Sequence, residues 1–273
     1  MNKKTNQNKE GFLKKLANFS NSWTGTLIIV LFIIFFIAQA FVIPSGSMKR
    51  TLLIGDHLFV KKFAYGIPTP TIPWLELQVL PDFKGNGHLI EGDRPKRGDI
   101  VVFKYPKNTK MHFVKRCVAV GGDTVMLHNK VLYILPHEGD NYVKKHFSKD
   151  QYVKINGRLW LKNPYRKKFP GIQNDPDITD NGMYPEELFE FPPTLVKKDH
   201  FFMMGDNRDH SNDSRFWGQI PYKLIEGTPW FIYFSWDENY KIRWNRIGAF
   251  IKDLEVDKSY IDKSVPLGRK EVK

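Results

Sequence analysis

Two short stretches hold the residue types that acyl transfer needs. Met111-His112-Phe113-Val114-Lys115-Arg116-Cys117-Val118 sets a lysine inside a period-two apolar pattern, and Pro44-Ser45-Gly46-Ser47-Met48 sets two hydroxyls around a glycine. Read as a strand, the first stretch places Phe113, Lys115 and Cys117 on one face. An ammonium on such a face loses hydration, which favours the neutral amine and lowers its pKa. The shift from ~10.4 must be several units for the lysine to work as a base near neutrality. A neutral amine can take the proton of a serine, which makes Lys115 the candidate base and Ser47 the candidate nucleophile. In extended backbone Ser45 and Ser47 project to the same side. One hydroxyl can then attack a carbonyl while the other, with a backbone N–H, holds the oxyanion. His112 faces away from Lys115 in a regular strand, and no G-x-S-x-G elbow surrounds Ser47. Histidine is therefore the poorer base.

A third stretch, Gly205-Asp206-Asn207-Arg208-Asp209-His210-Ser211-Asn212-Asp213-Ser214-Arg215, lies between two apolar strands and is dense in hydrogen-bonding groups. Short polar side chains of this kind can fix a backbone and orient a catalytic group. Each stretch alone has a plainer reading. Ser-Gly-Ser after a helix is commonly a turn, an edge-strand lysine can snorkel to water, and a polar run can be a solvated loop. Arg116, on the face opposite Lys115, reaches either solvent or an acid.

The elements that position these residues read mainly as strands. Residues 52–60, 100–103, 201–204 and 230–236 are apolar and rich in β-branched or aromatic types. Two hairpins stand out: 124–128 and 131–135 joined by Asn129-Lys130, and 152–155 and 158–161 joined by Asn156-Gly157, the strongest two-residue turn. The expected fold is mainly β: an antiparallel β-sheet catalytic domain with a smaller inserted β domain, preceded by one transmembrane helix. The boundaries expected are a basic cytoplasmic leader at 1–22, an anchor at 23–43, a catalytic domain at 44–135 and 199–256, an insert at 136–198, and a polar tail at 257–273.

The anchor rests on residues 23–43, which are apolar apart from Thr24, Gly25, Thr26 and Gln39. As a helix the run spans roughly 30 Å, the thickness of a bilayer core. Lys3, Lys4, Lys9, Lys14 and Lys15 precede it against Glu10 alone, so the positive-inside rule leaves this end in the cytoplasm and everything after Pro44 outside it. Ala38-Gln39-Ala40 also resembles a signal-cleavage site. The apolar run continues past it, and a helix in lipid would keep it out of the extended form a protease reads. The chain has 273 residues, a net charge of +13 and one cysteine, Cys117. The basic balance, with a membrane segment in the same chain and no nucleic-acid-binding signature, points to anionic phospholipid rather than nucleic acid. One cysteine excludes an intramolecular disulfide and a multi-cysteine zinc site. No metal or cofactor is expected.

Taken together and in order, these segments resemble the bacterial type I signal peptidases, or leader peptidases. The resemblance runs through Ile43-Pro44-Ser45-Gly46-Ser47-Met48, Thr51-Leu52-Leu53-Ile54-Gly55-Asp56, residues 96–103, Val114-Lys115-Arg116 with Gly121-Gly122-Asp123, Gly205-Asp206-Asn207-Arg208-Asp209 and Asp213-Ser214-Arg215. It implies a serine endopeptidase of the inner (plasma) membrane that removes signal peptides from exported preproteins, cutting after small residues. It implies Ser47 as nucleophile, Lys115 as general base and Ser45 as oxyanion donor. Ser211 would orient the lysine, and Asp213 and Arg215 would form a supporting ion pair. His210 stands where asparagine is familiar, and one membrane helix is found where two are common. The competing class is a membrane-tethered β-domain that binds exported chains without cutting them.

Overall fold

The computed structural model describes residues 11, 14, 15, 17–72, 75 and 77–258. Expectations for Lys3, Lys4, Lys9 and Glu10, and for the tail beyond residue 258, lie outside the described residues.

The apolar segment forms a helix, α1 (Trp23–Phe32), extended by one π-helical turn at Ile33–Ile37. Ser22 caps its start by accepting from Gly25 N at 3.0 Å. The expected helix over 23–43 is corrected here, because it stops at Ile37. Ala38–Val42 is a strand, β1, paired along its length with β2 (Asp56–Lys61). The change has a packing cause: Phe41 and Ile43 join a core with Leu58, Val60 and Ile232. Ala38-Gln39-Ala40 is therefore extended, not helical, and its backbone is engaged by a neighbouring strand. No helix among the described residues is long and apolar enough to cross a membrane.

Two short ladders follow, β3 (Gly66–Pro68) with β6 (His88–Glu91) and β4 (Thr71–Ile72) with β5 (Leu77–Gln78). Next come β7 (Ile100–Tyr105) and the long β8 (Asn108–Val120), which carries Lys115. The hairpin β9 (Thr124–His128) and β10 (Val131–Leu135) turns through Asn129 and Lys130, both at positive φ. That is the type I′ geometry whose twist suits a two-residue hairpin. Strands β11 (Tyr152–Ile155) and β12 (Arg158–Lys162) turn the same way through Asn156 and Gly157. β13 (Phe191–Leu195), β14 (His200–Met204), β15 (Ile220–Pro221) and β16 (Ile225–Ser235) complete the set.

The strands assemble into a seven-stranded antiparallel sheet, β1-β2-β16-β7-β8-β14-β15, and a five-stranded one, β11-β12-β10-β9-β13. The hairpin at 124–135, assigned from sequence to the catalytic domain, pairs within the smaller sheet, so that sheet begins just after Gly121-Gly122 rather than at 136. Gly122, at φ +96°, turns the chain there. The two sheets share one core: Val125, Leu127, Leu132 and Leu161 of the smaller pack with Val118, Phe202 and Met204 of the larger. Each fully buried Phe or Leu of this kind contributes about 1.5–3 kcal/mol. The smaller sheet is thus fused to the strands that carry Lys115 and the loop after β14.

Candidate active site

Ser47 sits in a single 3-10 turn, Gly46–Met48, directly after β1. The turn is pinned at both ends. Ile43 N donates to Asp56 O at 2.9 Å, Leu52 N to Met48 O at 2.8 Å, and the Met48 side chain is fully buried. Ser45 is extended but Ser47 is not, so the strict alternation expected from sequence does not hold. The hydroxyls converge all the same, with Ser45 Oγ 3.5 Å from Ser47 Oγ.

Lys115 lies mid-strand on β8, opposite Val101 on β7. Phe113 and Cys117 flank it on the same face and enter a core with Val101, Phe103 and Met203. Lys115 Nζ is 2.6 Å from Ser47 Oγ, 3.0 Å from Val114 O and 5.2 Å from the centre of the Phe113 ring. Both side chains are buried, with Lys115 at 4% exposure and Ser47 at 7%. Burial pushes the lysine pKa down to about 8, against an upward pull from Asp213 and Asp206. At that value a useful fraction of the amine is neutral near pH 7–8. A neutral amine 2.6 Å from a hydroxyl can accept its proton. His112 points elsewhere: its Nε2 is 3.0 Å from Glu226 and its ring packs edge-on against Phe41.

The loop after β14 holds the Ser47 turn from behind. Asn207 N donates to Ser47 O and Asn207 Nδ2 to Gly46 O, both at 3.0 Å. Asp213 accepts from Gly205 N at 3.0 Å and pairs with Arg215 Nε at 2.8 Å, with both side chains fully buried. Burial pushes the Asp213 pKa up, but the Arg215 guanidinium outweighs it and holds the carboxyl below its usual range. Ser211 is buried close to Gly205, and its hydroxyl lies on the Asp213 carboxylate side, where it helps hold that carboxyl below its usual range. No Ser211–Lys115 hydrogen bond is present. The site thus brings together Ser45, Ser47 and Lys115, with the Asp213–Arg215 pair beneath them and Ser211 beside Gly205 and Asp213 rather than on Lys115.

Sequence reasoning did not assign a role to Arg116, Asp206, Thr51 or Asn207. Arg116 is wholly buried and grips Asp206 through two 2.8 Å bonds. It also donates to Gly98 O and to Glu255, and its guanidinium stacks 3.8 Å over the Phe169 ring. Asp206 takes a further bond from Thr51 Oγ1 at 2.6 Å. Asp206 is therefore the bolt between β8, the Ser47 turn and the loop after β14. The available signal was weak: an arginine next to the candidate base lies on the opposite face of the strand, where it can meet either solvent or an acid. Asp206→Ala leaves Arg116 charged and buried with Glu255 alone, short of the carboxylate that takes two of its bonds. The expected loss is about 3–5 kcal/mol of stability, read as a lower denaturant midpoint at unchanged slope.

Outside this site, Asp123, His137 and Glu138 present ligand-type atoms within 4.8 Å of one another. Arg97 bonds both carboxylates and so supplies the positive charge that cluster calls for.

The family described as "Signal peptidase, peptidase S26" matches residues 16–236. Signal peptidase I of Helicobacter pylori is 46% identical to this chain, covering 89% of it and 96% of its own length. Signal peptidase I of Aquifex aeolicus is 35% identical, covering 77% of this chain and 80% of its own. A solved signal peptidase I from Enterococcus faecalis is 23% identical over 50% of this chain and superposes at a TM-score of 0.31, a likeness too slight to add to the fold described above.

Proposed function

The chain belongs to the signal peptidase family S26, and from that premise we propose that it is a membrane-anchored serine endopeptidase that removes N-terminal signal peptides from exported preproteins through Ser47 and Lys115. The observation that carries this reading is the 2.6 Å approach of Lys115 Nζ to Ser47 Oγ in a buried setting that lowers the amine pKa to about 8.

Neutral Lys115 takes the Ser47 proton as Ser47 Oγ bonds to the carbonyl carbon ending the signal peptide. The tetrahedral oxyanion rests against Ser45 Oγ and the Ser47 N–H. Charged Lys115 then protonates the leaving amine, the C–N bond breaks, and an acyl ester remains on Ser47. Neutral again, Lys115 takes a proton from water as the water oxygen bonds to the ester carbon, then returns that proton to Ser47 Oγ as the ester C–O bond breaks and the acid leaves. Preference for small residues before the cut follows if shallow subsites exclude larger ones.

Anchoring is supported by α1 and its π-helical turn. Leu27, Ile28, Val30 and Phe32 are exposed, and Gly25 alone in α1 is buried. A helix that is apolar on every side needs a non-aqueous surround, and lipid supplies one at a segment that ends at Ile37, one strand before the Ser47 turn. With the basic leader on the cytoplasmic side, the two sheets stand on the outer face of the inner membrane.

The test is processing of a preprotein by detergent-solubilised protein, with N-terminal sequencing of the product. Wild type and His112→Ala are expected to release the same mature chain at rates within about 3-fold, because His112 is tied to Glu226. Ser47→Ala is expected to release none. A dead His112→Ala beside an active Ser47→Ala would end this assignment.

A further inference from the structure

Lys130 belongs to the smaller sheet, at the tip of the β9–β10 hairpin, and its side chain leaves that sheet. Its Nζ donates to Asp209 Oδ2 at 3.0 Å, to Asp175 O at 3.2 Å and to Ile178 O. The Asp209 carboxylate at the far end is wholly buried. It also accepts from Asn174 Nδ2 at 2.9 Å and from Asp175 N at 2.6 Å. One buried carboxylate thus gathers the hairpin tip and the 173–178 segment onto the loop after β14. His210 Nε2 adds a second tie to Asp175, at 2.8 Å.

The 173–178 segment is laddered to the same loop by backbone. Gln173 N donates to Asp206 O and Arg208 N to Gln173 O, both at 2.9 Å, and Gln173 bridges Asn207 as a strand neighbour. Asn207 is the residue whose backbone and side chain hold the Ser47 and Gly46 carbonyls. A continuous path of short contacts therefore runs from Lys130 through Asp209 and Gln173 to Asn207 and Ser47. Lys130 itself sits at φ +63°, as the type I′ turn it closes requires, so the tip of the hairpin fixes where its side chain starts.

We propose that Lys130 is a positioning residue for the reaction: the smaller sheet uses it to lock the loop that sets the height of Ser47 against Lys115. This rests on the Ser47–Lys115 reading and assigns the smaller sheet a part in it. Displacements of about 1 Å between reacting groups cost on the order of 10²-fold in rate, so a modest slackening of this loop is felt in turnover. Substrate contacts are not involved, so the loss falls on kcat and spares KM.

The experiment compares Lys130→Met with wild type on a preprotein, well below both melting temperatures, together with amide hydrogen exchange across residues 205–211. The expected result is a kcat lower by about 10- to 100-fold, a KM within about 2-fold, and exchange across the loop faster by at least about 10-fold. If Lys130→Met does not fold, Asp209→Asn reads the same quantities, since it keeps an acceptor oxygen and removes only the charge. Wild-type kcat with a lowered melting temperature would overturn the proposal and leave Lys130 a merely structural residue. Exchange across 205–211 depends on the clamp alone. If Ser47→Ala still cut the preprotein, the dyad assignment would fail while the exchange comparison continued to judge the clamp.

Discussion

Lys115→Met leaves a preprotein uncut at every pH, with turnover reduced on the order of 10⁴-fold or more, while the protein folds and becomes more stable than wild type at pH 6. The first half follows from geometry. Among the described residues, the basic nitrogen in reach of Ser47 Oγ is that of Lys115, at 2.6 Å, and methionine offers none. The second half follows from burial. Lys115 titrates at about 8 in the fold and at ~10.4 in the unfolded chain, so the folded state binds fewer protons between those values. Stability therefore rises with pH across that window. Below about pH 8 the fold carries the whole cost of the buried ammonium, about 3 kcal/mol for a shift from 10.5 to about 8. Methionine carries no such cost. The melting-temperature gap favouring Lys115→Met should be widest at pH 6–7 and should close as pH climbs from 8 towards 10. Wild-type kcat/KM, in turn, should rise with pH and level off above about 8 as the amine becomes neutral. A variant less stable than wild type at pH 6, or a wild-type rate that falls between pH 6 and 8, would mean the amine is solvated and charged, and the base assignment would go with it.

What made this pair legible was local. A lysine at an inward position of an alternating strand is a conflict that sequence alone exposes, and burial of Phe113 and Cys117 on the same core shows why the conflict is real. The hairpins were legible for the same reason, since Asn156-Gly157 and Asn129-Lys130 dictate their turns over two residues. Ala38–Val42 was not. Four apolar residues and Gln39 after an apolar helix read equally as more helix, and only a partner strand near residue 60 pulls them into β1. The start of the smaller sheet failed likewise, because the hairpin at 124–135 has the same pattern whichever sheet receives it. Arg116 reads as able to meet solvent or an acid. That the acid is Asp206, 90 residues on, and that both are sealed from water, depends on contacts no local pattern encodes. Ser211 shows a different limit: the resemblance gives it the lysine to orient, while its buried hydroxyl lies by Gly205 and Asp213, a placement no local pattern encodes.

Gly205→Ala should cost at least about 10²- to 10³-fold in kcat with the fold retained, because this glycine is the spacer between the loop and the nucleophile turn. A Cβ there would lie 2.5 Å from Ser47 O, 2.3 Å from Ser211 Oγ and 2.5 Å from Ser211 Cβ. The Ser211 hydroxyl can rotate away, but the other two atoms cannot. Ser47 O is backbone already held by Asn207 N, and Gly205 N is held by Asp213 at 3.0 Å. Relief therefore requires the Ser47 turn to move by about 1 Å, which is the scale at which reacting groups lose on the order of 10²-fold. Overpacking at one buried position costs about 1–3 kcal/mol, which a protein of this size can absorb. The measurements that decide are kcat for preprotein cleavage and the melting temperature of the same preparation. A folded Gly205→Ala protein with wild-type kcat would mean that Ser47 tolerates displacement, and that the packing of Gly205 against its carbonyl has no part in catalysis. The double variant Gly205→Ala/Ser211→Gly separates the two contacts. It removes both Ser211 clashes and keeps the one with Ser47 O, so recovery should remain incomplete. Full recovery would trace the whole effect to Ser211 and clear the Ser47 carbonyl.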